Sequence, residues 1–141
     1  MAASVLVDPG AMLAVLRTRD QWHRACLEAL SQLPLPLLTS EAALTELFHL
    51  AGRGAHNLAS VWTFLRSGAV VLASIGDDEL PALSRLMHQY HDRPMDFADA
   101  TLVHLAERES ITTIVTTDLS DFQIYRIGGQ KRFRILPGPL R

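Results

Sequence analysis

The stretch from Pro94 to Phe122 constrains this chain most: Pro94-Met95-Asp96-Phe97-Ala98-Asp99-Ala100, an apolar helical run, then Ile114-Val115-Thr116-Thr117-Asp118. Asp96 comes just after a proline and before good helix formers, which marks it as a helix N-cap, and Asp99 lies one turn up the same face. Leu102, Val103, Leu105 and Ala106 supply an apolar stripe at helical spacing as far as Arg108. Ile111 to Val115 then reads as a short β-branched strand, so Asp118 falls just past a strand's carboxyl end. In an open parallel α/β sheet, ligands bind in the crevice beyond those ends. An acid that starts a helix and an acid that follows a strand can meet there.

The rest of the chain supplies partners for that strand. Ser4-Val5-Leu6-Val7 is a short apolar run that suits a buried strand, and it ends in Asp8-Pro9-Gly10, making Asp8 a second strand-end acid. Pro9 fits the first turn of a helix, where its missing N–H costs nothing. After a break over Arg17 to Asp20, the residues Trp22, Ala25, Cys26, Ala29 and Leu30 form the apolar face of a second helix. Pro34 to Thr39 reads as an extended or edge strand, because two prolines disfavour a central ladder position. Thr39 or Ser40 can cap the next helix, with Ala43, Leu44, Leu47, Phe48 and Ala51 as its stripe and Gly52 and Gly54 as its stop. Glu46 lies inside that helix and, taken alone, reads as a solvent-facing helix former.

Asn57 to Leu65 gives another helix and Ala69 to Leu72 a third short buried strand. Asp77-Asp78-Glu79 reads as a helix start whose acids favour the positive end of the dipole, with Leu83, Leu86, Met87 and Tyr90 as the face that follows. Beyond Asp118 the chain is irregular to Ile127, turns at Gly128-Gly129 and ends in a strand over Phe133 to Leu136. Strands alternating with helices predict an α/β fold with parallel strands and helices on both faces, and all strand-end acids at one edge.

Residues 1–141 are read as one domain, with 48% hydrophobic and 20% charged residues, the composition of an ordinary soluble protein. A formal charge of −2 argues against binding nucleic acid by charge alone, and leaves open an enzyme whose acids are neutralised by metal ions. The lone Cys26 can form no internal disulfide, no apolar run is long enough to span a bilayer, and the Met1-Ala2-Ala3-Ser4 start lacks a charged leader region, so a cytoplasmic protein is expected. No acid follows Asp121, whereas Arg126, Lys131, Arg132, Arg134 and Arg141 do. That tail reads equally as a solvated edge or as a phosphate-binding rim, with Arg126, Lys131, Arg132 and Arg134 as candidate RNA contacts. The six histidines are scattered without metal-pair spacing beside an acid, which disfavours zinc.

These pieces resemble the PIN-domain proteins, specifically the VapC-type ribonuclease toxins of bacterial type II toxin–antitoxin systems. Val5-Leu6-Val7-Asp8 resembles the opening strand and first acid of that family. Leu44-Thr45-Glu46-Leu47 resembles its helical glutamate, and Asp96 to Ala100 with Leu102 and Leu105-Ala106-Glu107 its third-acid helix. Thr116-Thr117-Asp118, Asp121-Phe122 and Tyr125-Arg126 resemble its late motif. One departure is Pro9-Gly10, where the family usually carries a small hydroxyl residue.

The resemblance implies a three-layer α/β/α PIN-like fold with a mainly parallel central sheet of four to five strands. It implies a catalytic set of Asp8, Glu46, Asp99 and Asp118, with Asp8, Asp99 and Asp118 as metal ligands and Asp96, Thr116 and Asp121 supporting them. Such clustered carboxylates repel and are tolerated with hard cations, so magnesium or manganese is the expected cofactor. A metal-bound water would then attack an RNA phosphodiester. Thr116 and Thr117 could bond a carboxylate or a phosphate, or serve as plain β-formers.

Expected partners are RNA, a separate antitoxin and a second copy of the chain. Leu13, Leu16, Trp22, Phe48, Trp62 and Phe64 carry more apolar surface than one core face of each helix needs. Two other readings stand: a PIN-like module that binds RNA or a partner without cutting, and a receiver-type phosphoacceptor domain. The latter would show a paired-acid first loop and a late strand-end lysine, whereas Asp8 stands alone and Lys131 follows a glycine turn.

Overall fold

The computed structural model describes residues 2–140. The first half of the chain runs β1 (Val5–Val7), α1 (Pro9–Leu16), α2 (His23–Ser31), β2 (Leu37–Ser40), α3 (Glu41–Ala51), α4 (Ala55–Arg66) and β3 (Val70–Ala73). The second half runs α5 (Leu80–Gln89), α6 (Phe97–Arg108), β4 (Thr113–Val115), α7 (Leu119–Phe122), β5 (Arg126–Ile127), β6 (Lys131–Arg132) and β7 (Arg134–Leu136). Five strands form one parallel sheet in the order β3-β2-β1-β4-β7, while β5 and β6 pair as a small antiparallel ribbon.

Strand alternation divides the core in two. In β1, Val5 and Val7 face a cluster with Met12, Cys26, Leu47 and Val61, drawn from α1 to α4, whereas Leu6 faces the opposite cluster with Leu83, Leu102, Leu105 and Tyr125. Helices therefore cover both faces of the sheet, giving three α/β/α layers. Because the sequence leaves β1 in one direction to β2 and β3 and returns on the other side as β4, the order reverses at the β1/β4 boundary, where a parallel sheet opens its ligand crevice.

Two expectations are corrected. β2 is not an edge strand: it pairs with both β1 and β3, and Pro34 and Pro36 lie just before it, where no ladder N–H is required. β3 is the edge, so Val71 and Leu72, 39% and 49% exposed, are not buried as their apolar run suggested. The caps follow the sequence more closely. Ser40 accepts the Ala43 N–H at 3.1 Å, Asp96 accepts the Asp99 N–H at 2.8 Å, and Gly52 ends α3 at φ 85°, a conformation that favours glycine. The Asp77–Glu79 run forms a 3-10 turn whose Glu79 does more than cap: it accepts the Gly76 N–H at 2.7 Å and reaches His104 and Arg108 of α6 at 2.7 and 2.8 Å.

Candidate active site

Register places the first two site residues. Val7 of β1 pairs with Val115 of β4, so the residues that follow, Asp8 and Thr116, leave adjacent strands side by side, and the Asp8 N–H donates to the Val115 carbonyl at 3.1 Å. Asp8 caps α1, its Oδ1 accepting the Ala11 N–H at 2.9 Å, while its Oδ2 accepts the Thr116 hydroxyl. The side chain is 5% exposed. Burial pushes its carboxyl up to about 7; the Thr116 and Ala11 donors pull against that, and the charges of Asp118 and Glu46 add to it.

Thr116 links two acids at once, because its hydroxyl oxygen also accepts the Asp118 N–H at 2.8 Å. Asp118 caps α7 through the Asp121 N–H at 3.3 Å, which brings Asp121 round to the same side. From the opposite direction α6 presents Asp99 in its first turn, where Oδ2 accepts the Tyr125 hydroxyl at 3.1 Å. Burial pushes the Asp99 carboxyl up to about 7, Asp96 adds to the rise, Tyr125 opposes it, and Asp118 and Asp8 raise it further. Asp121 is raised by partial burial, by its hydrogen bond with Asp118 and by the Asp118 charge, with Arg93 opposing.

Glu46 reaches the crevice from α3. That helix is locked to α6 by the Ser40 and Thr101 hydroxyls, 2.7 Å apart and buried. Partial burial raises the Glu46 carboxyl, as do the charges of Asp96 and Asp118, while His49 on the next turn opposes them. The fold thus brings Asp8, Glu46, Asp96, Asp99, Asp118 and Asp121 to one crevice. Asp99, Asp118 and Asp121 each offer one oxygen, and these lie within 4.8 Å of one another. An all-carboxylate donor set of this kind suits a hard divalent cation.

A family model described as the PIN domain matches residues 5–128. This chain belongs to the PIN-domain family. Among curated relatives, Ribonuclease VapC26 of Mycobacterium tuberculosis is 30% identical over 135 residues, spanning 94% of this chain and 100% of the relative. That likeness makes this a PIN domain of the VapC type. The crystal structure of Mycobacterium tuberculosis VapC20, titled a sarcin–ricin loop cleaving toxin, superposes with a TM-score of 0.71 at 20% identity. The match covers 79% of this chain and 87% of that one, and it shows the shared fold.

Within this PIN domain the basic residues of the C-terminal segment divide between local contacts and the far end of the sheet. Arg126 donates its guanidinium to the carbonyls of Gln123, Ile124 and Tyr125. Lys131 and Arg132 form the ribbon beside the carboxyl end of α6, and Arg134 pairs with Thr113 at the start of β4, so all three sit toward the sheet edge opposite the acids. Arg141 lies outside the described residues. Arg93 stands near Asp121 and His49 near Glu46, and no motif marked either.

Two residues take a larger part in the site than the sequence implied. Asp121, expected to support the cluster, stands in it on the same footing as Asp99 and Asp118; its spacing of three from the N-cap Asp118 was the available signal. Tyr125 was marked only as part of the late motif; its bond to Asp99 joins residues 26 apart and is set by tertiary packing.

Proposed function

We propose that this chain is a metal-dependent endoribonuclease and the toxin of a toxin–antitoxin pair, with the whole of 1–141 acting as one PIN domain. The observation that carries the reading is the meeting of Asp8, Asp99, Asp118 and Asp121 at the β1/β4 crevice in a chain 30% identical to Ribonuclease VapC26 along that protein's full length. The acids fit a magnesium or manganese ion: their donors are all oxygen, three lie within 4.8 Å, and their mutual repulsion is what a cation relieves. Asp99, Asp118 and Asp121 would hold it, with Asp8 beside them. When bound, the ion stabilises charge on the phosphodiester and lowers the pKa of a coordinated water.

The chain's own groups do the rest. Thr116 and the Ala11 N–H fix the Asp8 carboxylate, and Tyr125 fixes that of Asp99, so neither acid needs to reorganise during the reaction. Glu46 faces the crevice from α3 with a raised carboxyl, suited to accept a proton from the attacking water. Neither alternative raised by the sequence is favoured. A receiver-type site needs a lysine at the crevice, and the chain's single lysine, Lys131, lies toward the other edge of the sheet.

An antitoxin and a second copy of the chain have apolar surface available. Trp62 is 51% exposed and packs on Phe48 with ring centroids 5.2 Å apart, and Leu58 beside it is also exposed, whereas Trp22 and Phe64 are partly buried in the core. A cleft of about 800 Å3 runs between α1 and α4 past Leu13 and Leu16, and would accept an extended segment. No helix among the described residues is long and apolar enough to cross a membrane.

The test incubates the purified chain and its Asp8→Asn variant with RNA, with and without manganese, and follows growth on expression with and without the neighbouring small gene. Metal-dependent cutting that Asp8→Asn abolishes, with toxicity relieved by the neighbour, is expected. Cutting that survives both metal removal and Asp8→Asn would overturn the reading.

A further inference from the structure

Most hydroxyls around the crevice are already engaged. Thr116 bonds Asp8, Tyr125 bonds Asp99, Ser40 and Thr101 bond each other, and Thr39 bonds the Val7 carbonyl. Thr117 differs. It lies between Thr116 and Asp118 in sequence, is partly exposed, and its hydroxyl makes no hydrogen bond among the described residues. That hydroxyl occupies a particular space: a Cβ at Gly10 would stand 2.5 Å from Thr117 Oγ1 and 3.7 Å from Asp8 Oδ1. No side chain at position 10 could share it without displacing Thr117. The absence of a Cβ is needed here for space and not for backbone conformation, since Gly10 is not among the glycines with positive φ.

We propose that the Thr117 hydroxyl positions the substrate by donating a hydrogen bond to a phosphate oxygen of the RNA beside Asp8, and that Gly10 is glycine to leave room for it. The chemistry of the crevice favours such a group. Its walls are carboxylates, which accept hydrogen bonds and repel a phosphodiester; a metal ion offsets the charge and leaves the orientation of the phosphate open. A neutral donor that no acid engages can orient the phosphate without joining the ionised cluster. Thr117 supplies one on the α1 side, against Gly10. Its hydroxyl is attached to the β4 end through Thr116, whose own bonds to Asp8 and Asp118 fix that backbone, so the donor stands on a rigid wall.

This inference rests on the nuclease reading, and the experiment separates the two. A randomised single-stranded RNA library is offered to the full-length chain. Cleavage is read with manganese, and binding is read with calcium by filter retention. Thr117→Val removes the hydroxyl and keeps the branched volume; kcat/KM is expected to fall about tenfold or more, the effect of losing one hydrogen bond to a charged group, with calcium-supported binding weakened in step. The manganese-induced rise in melting temperature should stay unchanged, because Thr117 holds no metal. Thr117→Ser should retain activity.

Gly10→Ser should lose activity through its collision with Oγ1. The double variant Gly10→Ser with Thr117→Ala carries the hydroxyl on α1 into the same space and should recover cleavage relative to Thr117→Ala. Cleavage and binding by Thr117→Val equal to those of the wild type would overturn the inference, as would a double variant no better than Thr117→Ala. A wild type that binds the library without cutting it would overturn the nuclease reading alone, and the binding arm would still decide on Thr117.

Discussion

The Tyr125 hydroxyl donates to Asp99 Oδ2 at 3.1 Å, so a residue beyond the last helix holds an acid presented by the first turn of α6. The Tyr125 ring is fully buried, packed edge-on against Tyr90 and Phe122 with centroids 5.1 and 5.2 Å away. Burial and the neighbouring Asp99 charge push the phenol well above its ordinary range, so it remains a donor across all working pH. Tyr125→Phe keeps the packing and removes the donor. It should cost about 1 kcal/mol in stability, and the acid limb of the cleavage pH profile should move to higher pH because Asp99 loses the bond that lowers its carboxyl. Thermal melts and a pH series of initial rates check both halves.

Metal and pH should act on stability together. Asp8 and Asp99 titrate near 7 in the folded chain against about 4 unfolded, so between these values the folded state binds more protons. Stability of the metal-free protein therefore falls as pH rises from about 4 to about 7, and is greatest with respect to these groups below that window. Magnesium or manganese should raise the melting temperature, and more so at pH 8 than at pH 6, since ligands must be deprotonated to bind. Asp99→Asn should melt higher than the wild type without metal at pH 8 and lose most of the metal-induced rise. Melting curves in chelator and in manganese at the two pH values measure this.

Thr116 is 1% exposed and its hydroxyl joins Asp8 to the Asp118 N–H. Thr116→Val is isosteric, yet it leaves a buried carboxylate and a backbone N–H without their partner. A loss of about 1–3 kcal/mol is expected, with a cleavage defect larger than that of Thr116→Ser. Denaturant titration gives the first quantity and single-turnover cleavage the second.

Glu79 tests a contact remote from the crevice. Its carboxyl is pulled down to about 2, first by the Gly76 N–H and then by Arg108 and His104. A depressed carboxyl contributes stability above its unfolded value of about 4.3 and loses that contribution as pH falls toward 2. Glu79→Gln should thus melt below the wild type at pH 6 and converge with it near pH 2, with RNA cleavage at neutral pH little changed. A melting series across that range decides it.

Local sequence determined much of this protein. Short apolar strands, capping residues at Ser40 and Asp96, and the alternation of strands with helices follow from chain stereochemistry and the burial of apolar side chains, and these are written within windows of a few residues. They put Asp8 and Asp118 at strand ends and Asp99 in a helix's first turn before any fold was known. Tertiary structure decided what lies beside what. β2 became an interior strand because its prolines stop just short of the ladder, and β3 became the edge because no later strand pairs beyond it, a matter of sheet order that no window contains. Pairing of β1 with β4 brought Asp8 against Thr116, 108 residues away, and the packing of Tyr125 under α6 gave Asp99 its donor. The same closure drew Asp121 into the acid cluster and carried Lys131, Arg132 and Arg134 away from it. Charges and hydroxyls act over a few ångströms of space, and only the folded sheet sets those distances.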